Sequence, residues 1–301
     1  MTRPLPAVIP LDTTLAPAAV IAAREALRRA APLLALRPLL VVSDFDGTLS
    51  PIVMDPWGAA VLPAAQRALR RLAGVADVHV AILSGRTASD VAARTRIGGA
   101  CYLGNHGVEH GRLGRRQRPG SMAIEIFAVP DRYAQAAERV ATGIPALIPD
   151  AWLVVERKTP AVSLHFRSAP DVDAAALLVA EAVDRLDPER ELVRFPGRRV
   201  LELRPPGVPA KGEAMESLLL EHQPAAVFML GDDVSDAEAF AVLTMARAAG
   251  RVDGLAIAVQ ARTETPPAVA AAADVVLASP TEAARFLSGL ARRFAAPESR
   301  V

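Results

Sequence analysis

Residues 39–42 form a short apolar run that gives way at once to Ser43-Asp44-Phe45-Asp46-Gly47-Thr48-Leu49. An unbroken apolar, partly β-branched run of that length reads as a strand buried on both faces, the habit of strands inside a parallel sheet. Ligands of open α/β sheets bind beyond the carboxyl ends of such strands. Side chains at i and i+2 of an extended segment point the same way, so Asp44 and Asp46 can face one small volume. Two like charges held that close call for a cation, a shared proton or a reacting phosphate between them. The same short pattern also occurs in calcium loops and ordinary turns, so the pair alone leaves both readings open.

The pattern of an apolar run ending in small or polar residues recurs. Residues 78–83 lead into Ser84-Gly85-Arg86, and 226–230 into Gly231-Asp232-Asp233-Val234-Ser235-Asp236. Between these strands the apolar period shifts to that of helices: 63–73, opened by a proline, 87–93, from Lys211 to 221, onward from Ser235, 268–273 and 280–293. Further strands are predicted at 100–103, 255–259 and 275–277. This alternation calls for a parallel sheet with right-handed crossovers. Residues 16–31 read as an additional helix with Val20, Ile21, Ala23, Leu27 and Ala31 on one side, packing on the core or mediating assembly.

From 118 to 205 the pattern changes. A helix over 131–142 precedes strands at 153–156 and 161–166, joined by Lys158-Thr159-Pro160. A helix over 172–186 and strands at 191–195 and 199–204 follow, with Pro196-Gly197 as the hairpin turn. The spacing predicts a small antiparallel sheet with two helices, inserted into the larger fold. The expected organisation is an N-terminal helical extension (1–38), an α/β core (39–117 and 206–293), an inserted smaller α/β domain (118–205) and a tail (294–301).

Charge and cysteine content narrow the function classes. The formal net charge of +1 offers no bulk attraction to nucleic acid or anionic membrane. Arg112, Arg115, Arg116 and Arg118 cluster among glycine and proline without interleaved aromatics, which reads as a solvated loop. The single cysteine, Cys101, precludes an internal disulfide and lies in an apolar run, where it reads as a buried small hydrophobe. With neither a membrane-length apolar stretch nor a signal-peptide pattern, a cytoplasmic protein is expected.

The order of DxDGT, SGR, a lone lysine in Pro209-Ala210-Lys211-Gly212-Glu213, and GDDxxD resembles the haloacid dehalogenase superfamily of phosphatases, from about residue 39 to 290. The resemblance implies a Rossmann-like core with an inserted cap that closes over substrate and excludes water. It implies Asp44 as nucleophile and Asp46 as the acid that protonates the leaving alcohol and then activates water. Ser84 would donate to a phosphate oxygen, and Lys211 would neutralise Asp44 and the transferring group. Asp44, the Asp46 carbonyl and Asp232 would form the oxygen ligands of Mg²⁺, with Asp233 and Asp236 as further metal ligands or as groups supporting them. Arg86 contacts phosphate or caps and braces its neighbours.

A narrower resemblance lies in Leu103-Gly104-Asn105-His106-Gly107-Val108-Glu109, which is similar to a GNHG-type segment of trehalose-6-phosphate phosphatases. Glu156-Arg157-Lys158, Ser163-Leu164-His165-Phe166-Arg167 and Leu201-Glu202-Leu203-Arg204-Pro205 resemble strands of the same family, with phenylalanine in a usual tyrosine position. This implies hydrolysis of trehalose 6-phosphate to trehalose and phosphate, the last step of trehalose biosynthesis. Glu156 and Glu202 would accept from sugar hydroxyls, Lys158 would donate or steer phosphate, and Asn105 and His106 would line the core side. His165 and Arg167, alternating on one strand, bind sugar or brace the cap. The expected partner is a sugar phosphate, bound by a monomer or weak homo-oligomer. The alternatives are a phosphatase for sucrose, mannosyl or hexose phosphates, a phosphomutase, and a trehalose-6-phosphate sensor without turnover.

Overall fold

The computed structural model describes residues 18–53, 55–158, 160–197, 199–261 and 266–294. They divide into two compact units, one built from the chain up to Ile126 and again from Pro209, the other from Phe127–Val208.

A nine-stranded sheet organises the first unit, in the order Val20–Ile21, Val275–Leu277, Asp253–Val259, Ala226–Gly231, Leu39–Ser43, Val78–Leu83, Cys101–Gly104, Glu109–Arg112, Ile124–Ile126. Neighbours are parallel as far as Cys101–Gly104, and the last two strands add on antiparallel. From Leu39–Ser43 the chain steps outward in one direction, and from Ala226–Gly231 in the other. The carboxyl ends of these two central strands therefore flank the point where strand order reverses, where such sheets open a crevice. Asp44 and Asp232 stand at that point.

Leu39 and Val41 join one apolar core with Val80, Ile82, Phe228 and Leu230, while Leu40 and Val42 join another with Ala81, Leu83, Val227 and Met229. Alternate residues of one strand thus bury on opposite faces, which is why the run is apolar throughout. Leu69 and Leu72 of helix Pro63–Leu72 and Phe286 and Leu290 of helix Pro280–Arg293 complete the first core. Met215 and Leu218 of helix Lys211–His222 and Phe240 and Leu243 of helix Val234–Ala248 complete the second. Phe45 is wholly buried in the first core, so the side chain between the two aspartates is an anchor worth roughly 1.5–3 kcal/mol.

The second unit is a four-stranded antiparallel sheet, ordered Val154–Lys158, Ala161–His165, Val200–Arg204, Val193–Gly197. Helices Asp131–Leu147 and Val172–Leu186 pack on the face that carries Val155, Val162, Leu164, Leu201 and Leu203. The register aligns Glu156, Ser163, Glu202 and Phe195 across the opposite face.

Several expectations need correction. The helix expected over 16–31 begins only at Ala23, because β-branched Val20 and Ile21 pair as an edge strand with Val276 and Leu277; residues 16 and 17 lie outside the described residues. The shorter helix Ala23–Ala30 buries Ala23, Ala26 and Ala30 and packs Leu27 against Gly289. Arg112 ends a strand rather than lying in a loop. The helix expected to stop at 142 continues through Pro145 to Leu147. Pro196 and Gly197 are the last strand residues, opposite Leu201 and Val200, so the turn falls one step later, where Arg199 takes a positive φ. Lys158 lies opposite Ala161, and Thr159 of the expected turn is outside the described residues. Among the described residues, no helix is long and apolar enough to cross a membrane.

Candidate active site

The backbone N–H of Asp44 donates to the Leu230 carbonyl at 2.9 Å, so the two central strands stay paired up to the first carboxylate. Lys211 opens its helix, and its Nζ donates to Asp44 Oδ1 and Asp236 Oδ1, both at 2.7 Å. Asp236 sits in the first turn of Val234–Ala248, wholly buried. Its Oδ2 accepts from the backbone amides of Asp232 and Asp233, each at 3.1 Å. One carboxylate therefore fixes both the lysine and the loop that presents Asp232. Asp233 turns outward and caps its own helix, Oδ1 accepting from the Val234 amide at 2.8 Å.

Burial is the largest influence on Asp44 and pushes its carboxyl up to about 8; the Lys211 ammonium opposes the rise, and Asp236 and Asp46 add to it. Burial also works against the Lys211 charge, but Asp236 and Asp44 outweigh it and hold the ammonium charged. Asp232 is raised well above the usual carboxylate range by burial and then by Asp44, Asp236 and Asp233. With Lys211 charged, the consistent reading is three crowded carboxylates sharing one ammonium, a deficit of positive charge.

The donor set fits a hard divalent cation. One carboxylate oxygen from each of Asp44, Asp232 and Asp236 lies within 4.8 Å of the others. Asp236 already spends both oxygens on Lys211 and two amides, which leaves Asp44 and Asp232 as carboxylate ligands. The backbone at Gly47 (φ +79°) runs so close to Asp232 that a Cβ there would fall 2.2 Å from its Oδ2. The chain just after Asp46 thus lies against the same carboxylate, an all-oxygen setting of the kind Mg²⁺ prefers.

Asp46 has a different partner. Arg86 Nε donates to its Oδ2 at 2.6 Å and Nη2 to its Oδ1 at 2.8 Å, a bidentate fork. Arg86 Nη1 donates to Asp90 Oδ2 at 3.0 Å, and Arg94 Nε holds the same aspartate at 2.8 Å. Burial disfavours the Arg86 charge, yet Asp46 and Asp90 more than restore it. Ser84, buried, accepts from the Arg86 amide at 3.1 Å through Oγ. The Asn105 and His106 amides donate to the carbonyls of Arg86 and Ser84 at 2.8 and 2.9 Å, and both residues take positive φ. Asn105 Nδ2 donates to Glu109 Oε1 at 2.7 Å, while Glu109 Oε2 accepts from the Ala88 amide at 2.6 Å. Glu109 and Asp90 are thus positioning residues to which the sequence reading gave no role. The signal for Glu109 was its place inside the asparagine-histidine segment, and for Asp90 its place one turn after Arg86.

In the second unit, Glu156 Oε2 lies 2.8 Å from His165 Nε2, and Lys158 Nζ lies 3.5 Å from Glu156 and 3.7 Å from Glu202. Arg204 stacks 3.7 Å over the Phe195 ring. Arg167 does not share this face by strand alternation, since the strand ends at His165 and Arg167 falls in the turn beyond.

A cavity of about 820 Å³ lies at the amino-end edge of the sheet, walled by Arg70, Arg96, Arg115, Arg116 and Arg118 with no carboxylate. Among the described residues its lining offers neither a carboxylate nucleophile nor an acid, unlike the aspartate cluster.

The fold is that of haloacid dehalogenase-like hydrolases. A solved hydrolase of that class from Bacteroides thetaiotaomicron matches with a TM-score of 0.54 at 16% identity, over 85% of this chain and 98% of that one. The C-terminal domain of Candida albicans trehalose-6-phosphate phosphatase matches with a TM-score of 0.71 at 21% identity, over 92% and 99%. Within that class the chain belongs to the trehalose-phosphatase family, whose sequence profile matches residues 42–279. Trehalose-phosphate phosphatases of Mycobacterium tuberculosis and Mycobacterium avium are 34% and 36% identical over 277 and 276 residues, 90% and 89% of this chain. The chain spans 66% of the length of those relatives, and 15% of an uncharacterized M. tuberculosis glycosyl hydrolase that is 37% identical over 207 residues.

Proposed function

We propose that this chain hydrolyses trehalose 6-phosphate to trehalose and phosphate. The observation that carries the reading is the Lys211–Asp44 contact at the sheet's switch point, with Asp232 and Asp236 beside it, in a chain of the trehalose-phosphatase family.

Lys211 holds Asp44 by one oxygen and leaves the other to attack phosphorus in line with the ester oxygen. The new P–O bond to Asp44 forms as the bond to the sugar oxygen breaks, and Asp46 gives that oxygen its proton. Asp46, now a carboxylate, takes a proton from water; the hydroxide attacks phosphorus, the bond to Asp44 breaks and phosphate leaves. Asp46 can act only after Arg86 releases one of its oxygens, which then takes up a proton from solvent. A phosphate dianion suits the arginine fork better than one carboxylate does, so substrate would draw Arg86 away and free Asp46. Ser84, Asn105 and His106 bound the phosphate side, and Asp233 and Asp236 keep the metal loop in place. Mg²⁺ would be held by Asp44, the Asp46 carbonyl and Asp232, where it supplies charge neutralisation and orients phosphate.

We read the Phe127–Val208 unit as the cap, with Glu156, Lys158, His165 and Glu202 on its sheet face and Arg167 in the turn beyond recognising sugar hydroxyls. A polar sheet face carrying acceptors and donors in one row suits a disaccharide. In this reading a monomer or weak homo-oligomer works in the cytoplasm. The test is phosphate release from trehalose 6-phosphate beside sucrose 6-phosphate, glucose 6-phosphate and mannose phosphates, with Mg²⁺ and with chelator. Metal-dependent preference for trehalose 6-phosphate is expected; silence on all of them overturns the reading.

A further inference from the structure

At the far end of the Lys211–His222 helix, roughly 17 Å from Lys211 at 1.5 Å per residue, chemistry-bearing side chains from separate elements converge. Cys101 and Leu103 lie opposite Arg112 and His110 on antiparallel strands, so Cys101 and His110 project from one face of the sheet. Glu221 and His222 close the helix above that face. The Cys101 Sγ, a His110 nitrogen and a Glu221 carboxylate oxygen lie within 4.8 Å of one another. His222 Nε2 stands 3.8 Å from the same sulfur and 3.7 Å from Glu221 Oε1, and His110 Nε2 stands 3.7 Å from Glu221 Oε2.

Zinc binds nitrogen, oxygen and sulfur at about 2.0–2.3 Å in a tetrahedron, which separates neighbouring ligand atoms by roughly 3.3–3.7 Å. Three separations here, Cys101 to His222, His222 to Glu221 and His110 to Glu221, already stand close to that edge length. We propose that the first unit binds one zinc-class transition-metal ion through Cys101, His110, Glu221 and His222. Thiolate, imidazole and a single carboxylate select a borderline-soft ion over Mg²⁺, so this site is chemically distinct from the all-oxygen aspartate cluster. His79 stacks on His222 with ring centroids 4.4 Å apart and orients its imidazole. Arg112 Nη2 engages Glu221 Oε1 at 3.0 Å and leaves Oε2 beside His110. Cys101 and His222 are buried while His110 and Glu221 reach solvent, which gives an ion its path in. Burial pushes the Cys101 thiol up to about 11, so binding releases its proton to solvent as the sulfur–metal bond forms.

Cys101 is the chain's only cysteine, so a sulfur-to-cobalt charge-transfer band during Co²⁺ titration reports this site alone. The band should saturate at one equivalent in the wild type and in Asp44→Asn. It should be absent in Cys101→Ser, and the affinity should fall about tenfold or more in His110→Gln, a half-exposed position. Zn²⁺ should displace Co²⁺ and raise the thermal midpoint of the wild type but not of Cys101→Ser. No band in folded wild type, a band that survives Cys101→Ser, or an equal thermal rise in both proteins overturns the proposal.

Discussion

The aspartate cluster of the first unit and the polar sheet face of the second use the same residue types, but differ in how completely their bonds are closed. Around Asp44, each contact of Lys211 and Asp236 is 3.1 Å or shorter, and two of them come from backbone amides. On the second unit's face, Lys158 stands 3.5 and 3.7 Å from its glutamates. Buried Ser163 Oγ and His165 Nδ1 there have no hydrogen-bond partner among the described residues. An unsatisfied buried polar atom costs about 1–3 kcal/mol until something pairs with it. The first region is arranged in advance for charge chemistry; in the proposed function the second is completed by a ligand rich in hydroxyls.

The sharpest break of that comparison is Asp44→Asn. Phosphate release should fall at least about a thousandfold, while the thermal midpoint in chelator stays level or rises, because a crowded carboxylate has gone. Activity above one-hundredth of wild type would remove Asp44 from the nucleophile role. Lys211→Met should also stop turnover but should lower stability by about 3–5 kcal/mol, since Asp44 and Asp236 are left buried without their counter-charge. Chemical denaturation separates the two variants; equal stability would show that the ammonium is not holding the cluster. Ser163→Ala removes a hydroxyl with no hydrogen-bond partner in the described structure, so stability should hold while KM for trehalose 6-phosphate rises about tenfold. An unchanged KM would mean the row does not meet the sugar.

The smallest effect concerns pH. Burial pushes His222 down from 6.5 to about 4, with His79, Arg112 and His110 acting the same way and Glu221 opposing. Between those values the unfolded chain takes up a proton that the fold refuses. The His222 contribution is therefore complete above about pH 6.5 and is lost as pH falls toward 4. In chelator, thermal midpoints measured from pH 7.5 to 4.5 should fall less steeply for His222→Gln than for the wild type.

The core was legible because its information is local: an apolar run followed by a polar loop fixes a strand end, and three such loops with a lysine at a helix start, in order, point to a sheet and a site. Partnerships were less legible. Nothing adjacent in sequence pairs Arg86 with Asp46, so the bidentate fork between them has no local signal. Glu109–Arg112 carries glutamate, histidine, glycine and arginine, with no apolar alternation, yet it is a strand because Glu109 is buried against Asn105 and the Ala88 amide. The Val20–Ile21 strand hid for the opposite reason, since its residues also fit a helical period and only pairing with Val275–Leu277 decides. The convergence of Cys101 with His110 and Glu221 depends on a helix end meeting a strand pair, which no spacing reveals.

The division of labour between the two regions is tested most directly by Glu202→Gln, comparing kcat/KM for trehalose 6-phosphate with that for glucose 6-phosphate. If the second unit chooses the sugar while the aspartate cluster does the chemistry, the ratio should collapse by about tenfold or more, with the glucose 6-phosphate value little changed. If both values fall together and the ratio survives, Glu202 serves catalysis or folding, and the assignment of recognition to that face is wrong.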